Sequence, residues 1–83
     1  MKALYFASVR EKVGLAEEEF TPPDGVATLG ELIGWLRGRG EGYADAFGHD
    51  RAVRAAIDRA HARPEAPISG AREIAFFPPM TGG

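Results

Sequence analysis

Phe76-Phe77-Pro78-Pro79 limits what this chain can fold into more than any other stretch does. Consecutive residues of a strand point to opposite faces, so the two rings must lie on opposite sides of a sheet. Proline has no backbone N–H and cannot carry a ladder onward, so the strand stops at about Phe77. Met80-Thr81-Gly82-Gly83 then runs on as a tail. Glycine has no Cβ, accepts backbone angles closed to other residues and is costly to order, so a final diglycine adds little stability. It offers instead a slender main-chain carboxylate that can thread a narrow channel in another protein.

Upstream of that end the chain reads as short elements. Lys2 to Ser8 is expected to form a strand, with Leu4 and Phe6 on one face and Ala3, Tyr5 and Ala7 on the other. Val9 to Gly14 suits a short helical turn. Leu15 to Thr21 suggests a second strand, interrupted by Glu17-Glu18-Glu19, and an acidic edge strand discourages pairing with other chains. Pro22-Pro23-Asp24-Gly25 is a turn by composition. Thr28-Leu29-Gly30-Glu31 has capping-box spacing. Leu29, Leu32, Ile33 and Leu36 then share one helical face, and Trp35 falls off it toward the core edge. Arg37 and Arg39 stand near the helix end, where cations suit the dipole. Gly30, Gly34 and Gly38 recur every four residues, a spacing that lets a helix approach its neighbour closely. Tyr43 to Phe47 suits another turn of helix. The alanine-rich run Ala52 to Ile57 fits strand or helix by its residues alone. Pro64 to Gly70 reads as loop, and Arg72 to Phe77 as the last strand.

The chain has 83 residues, one domain's length, and buries only roughly 60–65% of its unfolded surface. Its net charge of −2 carries no dominant basic patch, which argues against nucleic acid as a partner. No apolar run approaches the roughly 20 residues of a membrane span. The apolar start is too short for a signal peptide, since Arg10 and Glu11 follow at once, so a cytoplasmic location is expected. Cysteine is absent, which excludes disulfides and a thiol nucleophile on this chain. His49 and His61 lack ligand-like spacing and read as surface histidines, so no metal site is expected. No nucleophile triad, phosphate loop or paired carboxylate site stands out, and the chain is expected to bind no cofactor of its own.

Glu73-Ile74-Ala75-Phe76-Phe77-Pro78-Pro79, followed by Thr81-Gly82-Gly83, closely resembles the C-terminus of the ubiquitin-like sulfur carriers that serve as small subunits of molybdopterin synthase. Tyr5-Phe6-Ala7-Ser8-Val9-Arg10-Glu11 resembles that family's first strand and turn. The likeness is sharp at both ends and loose between them, and Met80 stands where the family more often has Val or Ala. The resemblance implies a strand at Ala52 to Ile57, giving the order β-β-α-β-β. The first and last strands are apolar on both faces, as central strands are, and pairing them in parallel buries both. The fold expected is α+β, a β-grasp with a mixed sheet on one main helix, forming a single domain over residues 1–83 with a flexible tail at 78–83.

One helix covers one sheet face. Ile74 and Phe76 are therefore expected inward and Phe77 outward, with Phe6 outward from the first strand. Phe6 and Phe77 would form an apolar patch at the root of the tail, and such patches mark partner sites. The resemblance implies what the tail does. An activating enzyme related to those of ubiquitin uses ATP to adenylate Gly83, and a sulfurtransferase converts it to a thiocarboxylate. Gly82 keeps the tail slender, and Pro78, Pro79, Met80 and Thr81 make up the stretch that a partner grips. The partner is the large subunit, in a heterotetramer of two small and two large chains, where the sulfur attacks a cyclic pyranopterin monophosphate to build a dithiolene. A thiamine-pathway sulfur carrier and a protein modifier joined to targets through Gly83 are the alternatives, with an inert-tailed interaction domain as the plainest.

Overall fold

The computed structural model describes residues 1–48 and 53–79. In chain order they form β1 (Lys2–Tyr5), α1 (Ala7–Val13), β2 (Glu17–Glu19), α2 (Leu29–Arg37), α3 (Glu41–Phe47), β3 (Arg54–Ile57), β4 (Ala60–Ala62) and β5 (Glu73–Phe77). The sheet order is β2-β1-β5-β3-β4. β5 lies at its centre, parallel to β1 and antiparallel to β3, and β2 and β4 are antiparallel edges. This is the β-grasp arrangement, with the first and last strands paired in parallel as the sequence led us to expect.

Alternation builds the core. Ala3 and Tyr5 of β1, Ala55 of β3, and Ile74 and Phe76 of β5 all point to the face that the helices cover. There they meet Val9 of α1, Leu29, Leu32 and Leu36 of α2, and Ala46 and Phe47 of α3. α2 starts on the expected capping box. The Glu31 amide donates to Thr28 Oγ1 at 3.2 Å, and the Thr28 amide donates to Glu31 Oε1 at 3.0 Å. That reciprocal pairing satisfies donors that a helix start otherwise leaves open. The Leu29 and Gly30 amides donate to the carbonyls of Ala66 and Pro64, at 2.9 and 2.8 Å. Close approach is required at Gly30, where a Cβ would stand 3.2 Å from the Pro64 carbonyl, but not at Gly34, which faces open space.

Several elements depart from expectation. β1 stops at Tyr5 rather than Ser8, because Ala7 takes φ 51° and turns the chain into α1. Ile33 packs against the core from the same helical face as Leu29, Leu32 and Leu36 but is only half-buried. The main helix is joined by α1 and α3, and both pack on the same sheet face. α3 approaches α1 closely at Gly42, where a Cβ would lie 2.5 Å from the Lys12 carbonyl oxygen. A backbone atom cannot yield as a side-chain tip can. Gly42→Ala is therefore expected to destabilise the fold by about 1–3 kcal/mol, the range for forced overpacking, as read by urea denaturation.

β4 was not expected at all. It pairs with β3 through a two-residue turn, Asp58-Arg59, whose φ values are 47° and 73°. Positive φ at both positions is the turn that matches strand twist, ordinarily signalled by Asn-Gly or Asp-Gly. Asp58 Oδ1 also accepts the Arg72 and Glu73 amides, each at 3.0 Å, fastening the hairpin to the start of β5.

The acidic edge strand is likewise more than a solvated run. Glu17 and Glu19 face out, while Glu18 turns inward and accepts hydrogen bonds from the hydroxyls of Tyr5 (2.8 Å) and Tyr43 and from Arg39 Nη1 (3.0 Å). The Arg39 guanidinium lies 4.9–5.3 Å from the rings of Tyr43, Trp35 and Phe20. Trp35 thus closes the core edge against Phe20, centroids 5.1 Å apart. Burial pushes the Glu18 carboxyl up, but the bonds from Tyr43, Tyr5 and Arg39 outweigh it and hold it below its ordinary value. A depressed carboxylate stabilises the fold fully above the ordinary value of 4.5, and that stabilisation is lost as pH falls through the folded value. Glu18→Gln is expected to cost about 1–3 kcal/mol at neutral pH by leaving the two tyrosines and Arg39 poorly matched. It should also flatten the loss of stability on acidification, measured by thermal melts from neutral to acid pH.

Candidate functional site

The site is built at the end of β5. Phe76 points into the core with no exposed surface, stacked on Tyr5 (centroids 5.9 Å apart) and edge-on to Phe47 (5.1 Å). Burial, and next its bond to Glu18, push the Tyr5 hydroxyl well above its ordinary value, so that ring stays neutral beneath the strand end. Phe77 takes the other face and is half-buried. Pro78 and Pro79 follow, also half-buried, and no strand continues past Phe77. Met80, Thr81, Gly82 and Gly83 lie outside the described residues, as do His49 and Ala52.

Phe6 stands just beyond β1. Its amide donates to the Phe76 carbonyl at 3.0 Å, extending the parallel register by one step, so Phe6 takes the position beside Phe77. It is 48% exposed. Both phenylalanines therefore occupy the helix-free face at the tail's root. The patch differs in detail from the one anticipated. The ring that Phe77 touches is His61, edge-on at 5.7 Å, and among the described residues Phe6 and Phe77 do not form a ring pair. Beside Phe6, the small side chains of Ala56 and Ala75 leave a hollow of about 280 Å³, lined also by Leu4. Arg59 and Glu73 border the same hollow, so an apolar floor with a charged rim lies next to the exposed ring, a shape that can accept a partner's side chain.

Among the described residues no group of three or more His, Cys, Asp and Glu is placed to hold a metal. No helix among them is long and apolar enough to cross a membrane. What the site presents is an exposed phenylalanine, a half-buried one, the hollows beside them and the start of a tail.

The ThiS family model matches residues 3–83. The chain belongs to the ThiS family. It is 32% identical over 83 residues to the molybdopterin synthase sulfur carrier subunit of Escherichia coli K12, covering all of this chain and 99% of that one. Its fold is shared with SAMP1 from Haloferax volcanii (TM-score 0.72, 23% identity, 100% and 98% of the two chains). It is shared also with a Pyrococcus furiosus chain provisionally named molybdopterin converting factor, subunit 1 (TM-score 0.72, 24% identity, 95% of each). Both likenesses agree with the β-grasp topology traced above.

In this ThiS-family chain Phe6 and Phe77 stand at the ends of neighbouring parallel strands on one sheet face, each beside its own hollow, and Pro78 and Pro79 follow Phe77. Sequence reasoning missed three others. His61, Arg54 and Arg63 surround Phe77 in one open hollow. β4 carries His61 and leads into Arg63, and the sequence signals no strand there: His61 reads from it only as a surface histidine. Arg54 comes opposite Phe77 only through the β3–β5 register, which nothing in the sequence alone fixes.

Proposed function

We propose that this chain is the sulfur-carrier small subunit of molybdopterin synthase, with Gly83 as the carrier atom's anchor. One observation carries the reading: end-to-end identity of 32% with a sulfur carrier subunit of that enzyme. The proline-stopped strand and the diglycine end support it.

The chemistry follows from what a carboxylate can do. Its oxygen leaves badly, so it is a poor electrophile. Attack of the Gly83 carboxylate on the α-phosphorus of ATP releases pyrophosphate and gives an acyl adenylate. The outer sulfur of a persulfide on a sulfurtransferase then attacks the carbonyl carbon and AMP leaves; a thiol cleaves the resulting acyl disulfide, releasing the thiocarboxylate and leaving the sulfurtransferase sulfur in a disulfide. Because the chain has no cysteine, the main-chain terminus is where the sulfur is held. In the large subunit the thiocarboxylate sulfur attacks a cyclic pyranopterin monophosphate, and water returns Gly83 to the carboxylate. Two deliveries complete a dithiolene, in keeping with two small and two large chains per complex. This chain's own residues present the tail: β5 ends it at a fixed point, the prolines launch it, and Phe6 and Phe77 dock the adenylating enzyme and the large subunit in turn. The work belongs in the cytoplasm, where ATP is at hand.

Intact-mass measurement tests the first half. After incubation with the adenylating enzyme, ATP and a sulfur donor, the chain should gain the difference between sulfur and oxygen at its C-terminus. The sulfurated chain, mixed with the large subunit and precursor, should then yield molybdopterin. A terminus that stays a carboxylate sinks the reading, and a thiocarboxylate that the large subunit never consumes assigns the sulfur to another acceptor.

A further inference from the structure

The helix-free sheet face carries charge in two unlike halves. Where β5 begins, opposite charges are paired: Lys2 with Glu17 at 2.7 Å and Arg59 with Glu73 at 3.8 Å. Where β5 stops, the charged side chains lining the hollow beside Phe77 are Arg54 and Arg63, while Glu65 lines a neighbouring hollow with Arg63 and His61. Arg54 is the cross-strand neighbour of Phe77, His61 lies edge-on to the Phe77 ring, and Arg63 follows β4. These residues line an open hollow of about 400 Å³ that, among the described residues, no carboxylate lines. Arg54, His61 and Arg63 are all exposed. Among the described residues neither arginine has an ion-pair partner.

Two guanidinium groups without an ion-pair partner among the described residues flank an aromatic ring on a chain whose net charge is −2. Arginine forks match carboxylates bidentately. Complementary charge at a rim steers the encounter and fixes register, while an aromatic at the centre supplies the anchor. We propose that this hollow docks an acidic edge of the large subunit: Phe77 seats in an apolar socket, and Arg54 and Arg63 pair with carboxylates at the socket's rim. The inference rests on the sulfur-carrier reading above. It assigns the rim a purpose, since the tail begins at Pro78, and two charge pairs beside that point set the direction in which the tail enters.

The test is the full-length chain carrying Arg54→Glu and Arg63→Glu, titrated against the purified large subunit at low and high salt beside Phe77→Ala and the wild type. A milder Arg54→Gln, Arg63→Gln variant serves if the reversal disturbs the melt. At low salt the reversal should weaken binding by about tenfold or more, and salt should narrow the gap, because exposed pairs are screened. Unchanged affinity of the charge variant, with Phe77→Ala still weakened, overturns the acidic edge and leaves the sulfur-carrier reading standing. If the wild type does not bind the large subunit at either salt, both fail. Wild-type self-association that the charge variant abolishes overturns the proposal too, by giving the hollow to a second copy.

Discussion

Deleting Gly83, or adding one residue after it, is expected to abolish sulfur transfer while leaving the melting curve where it was. The reacting atom in the proposed chemistry is the terminal carbonyl carbon. One residue fewer draws that carbon back by up to about 3.5 Å, and one more blocks it with a peptide bond. Reactions of this kind require the reacting atoms to meet within a fraction of an ångström of the productive geometry, so loss of position is loss of rate. Stability should not follow, because the residues of the described core lie at or before Phe76. From Pro78 to Gly83 an extended tail reaches at most about 20 Å, enough to enter a buried site without the domain itself entering. The check is molybdopterin formation with purified partners, alongside a thermal melt. A shortened chain that still supports turnover would place the sulfur elsewhere.

What was legible beforehand came from residues whose local chemistry is strong. Thr28 and Glu31 announced the start of α2, and the capping box is present. Pro78 and Pro79 announced the end of β5, and Phe77 is its last residue. The alternation of Ile74, Phe76 and Phe77 gave the faces, because a strand has only two. The rest depended on partners distant in sequence. The Asp58-Arg59 turn lacks the glycine that usually betrays such a hairpin, so β4 and everything it brings to Phe77 stayed hidden. Glu18 reads as one of three surface acids until Tyr5, Tyr43 and Arg39 are seen to converge on it. Arg37, expected to serve its own helix end, instead donates from Nε to the Phe47 carbonyl at 2.9 Å, tying α2 to α3. Gly42 gave no signal at all, since its reason is a carbonyl 30 residues away, at Lys12. Ile33 shows the limit of periodicity. It lies on the apolar stripe and packs against the core's margin, yet it borders a hollow of about 260 Å³ with Gly30 and Gly34, which keeps it half-buried.

Phe76 and Phe77 differ by one position and should fail in opposite ways. Phe76 has no exposed surface and contacts both Tyr5 and Phe47. Phe76→Ala should therefore cost about 3–5 kcal/mol, the range for a buried phenylalanine, which is a large share of what a domain this small has. The stack on Tyr5 also connects that loss to the Glu18 network, so the melt should broaden at the β1–β2 edge, visible as early hydrogen exchange at the Phe20 amide, which donates to the Met1 carbonyl. Phe77→Ala removes a half-buried ring from the opposite face, where no helix lies. It should leave the fold near its original stability. Its cost should fall on binding: about 2 kcal/mol, roughly thirtyfold in affinity, for both the adenylating enzyme and the large subunit. Equal losses for the two partners, and competition between them for the wild-type chain, would follow from one shared face. Thermal melts and titrations on the two variants decide the matter together. A Phe77→Ala protein that unfolds, or one that binds both partners as the wild type does, would remove this face as the docking site.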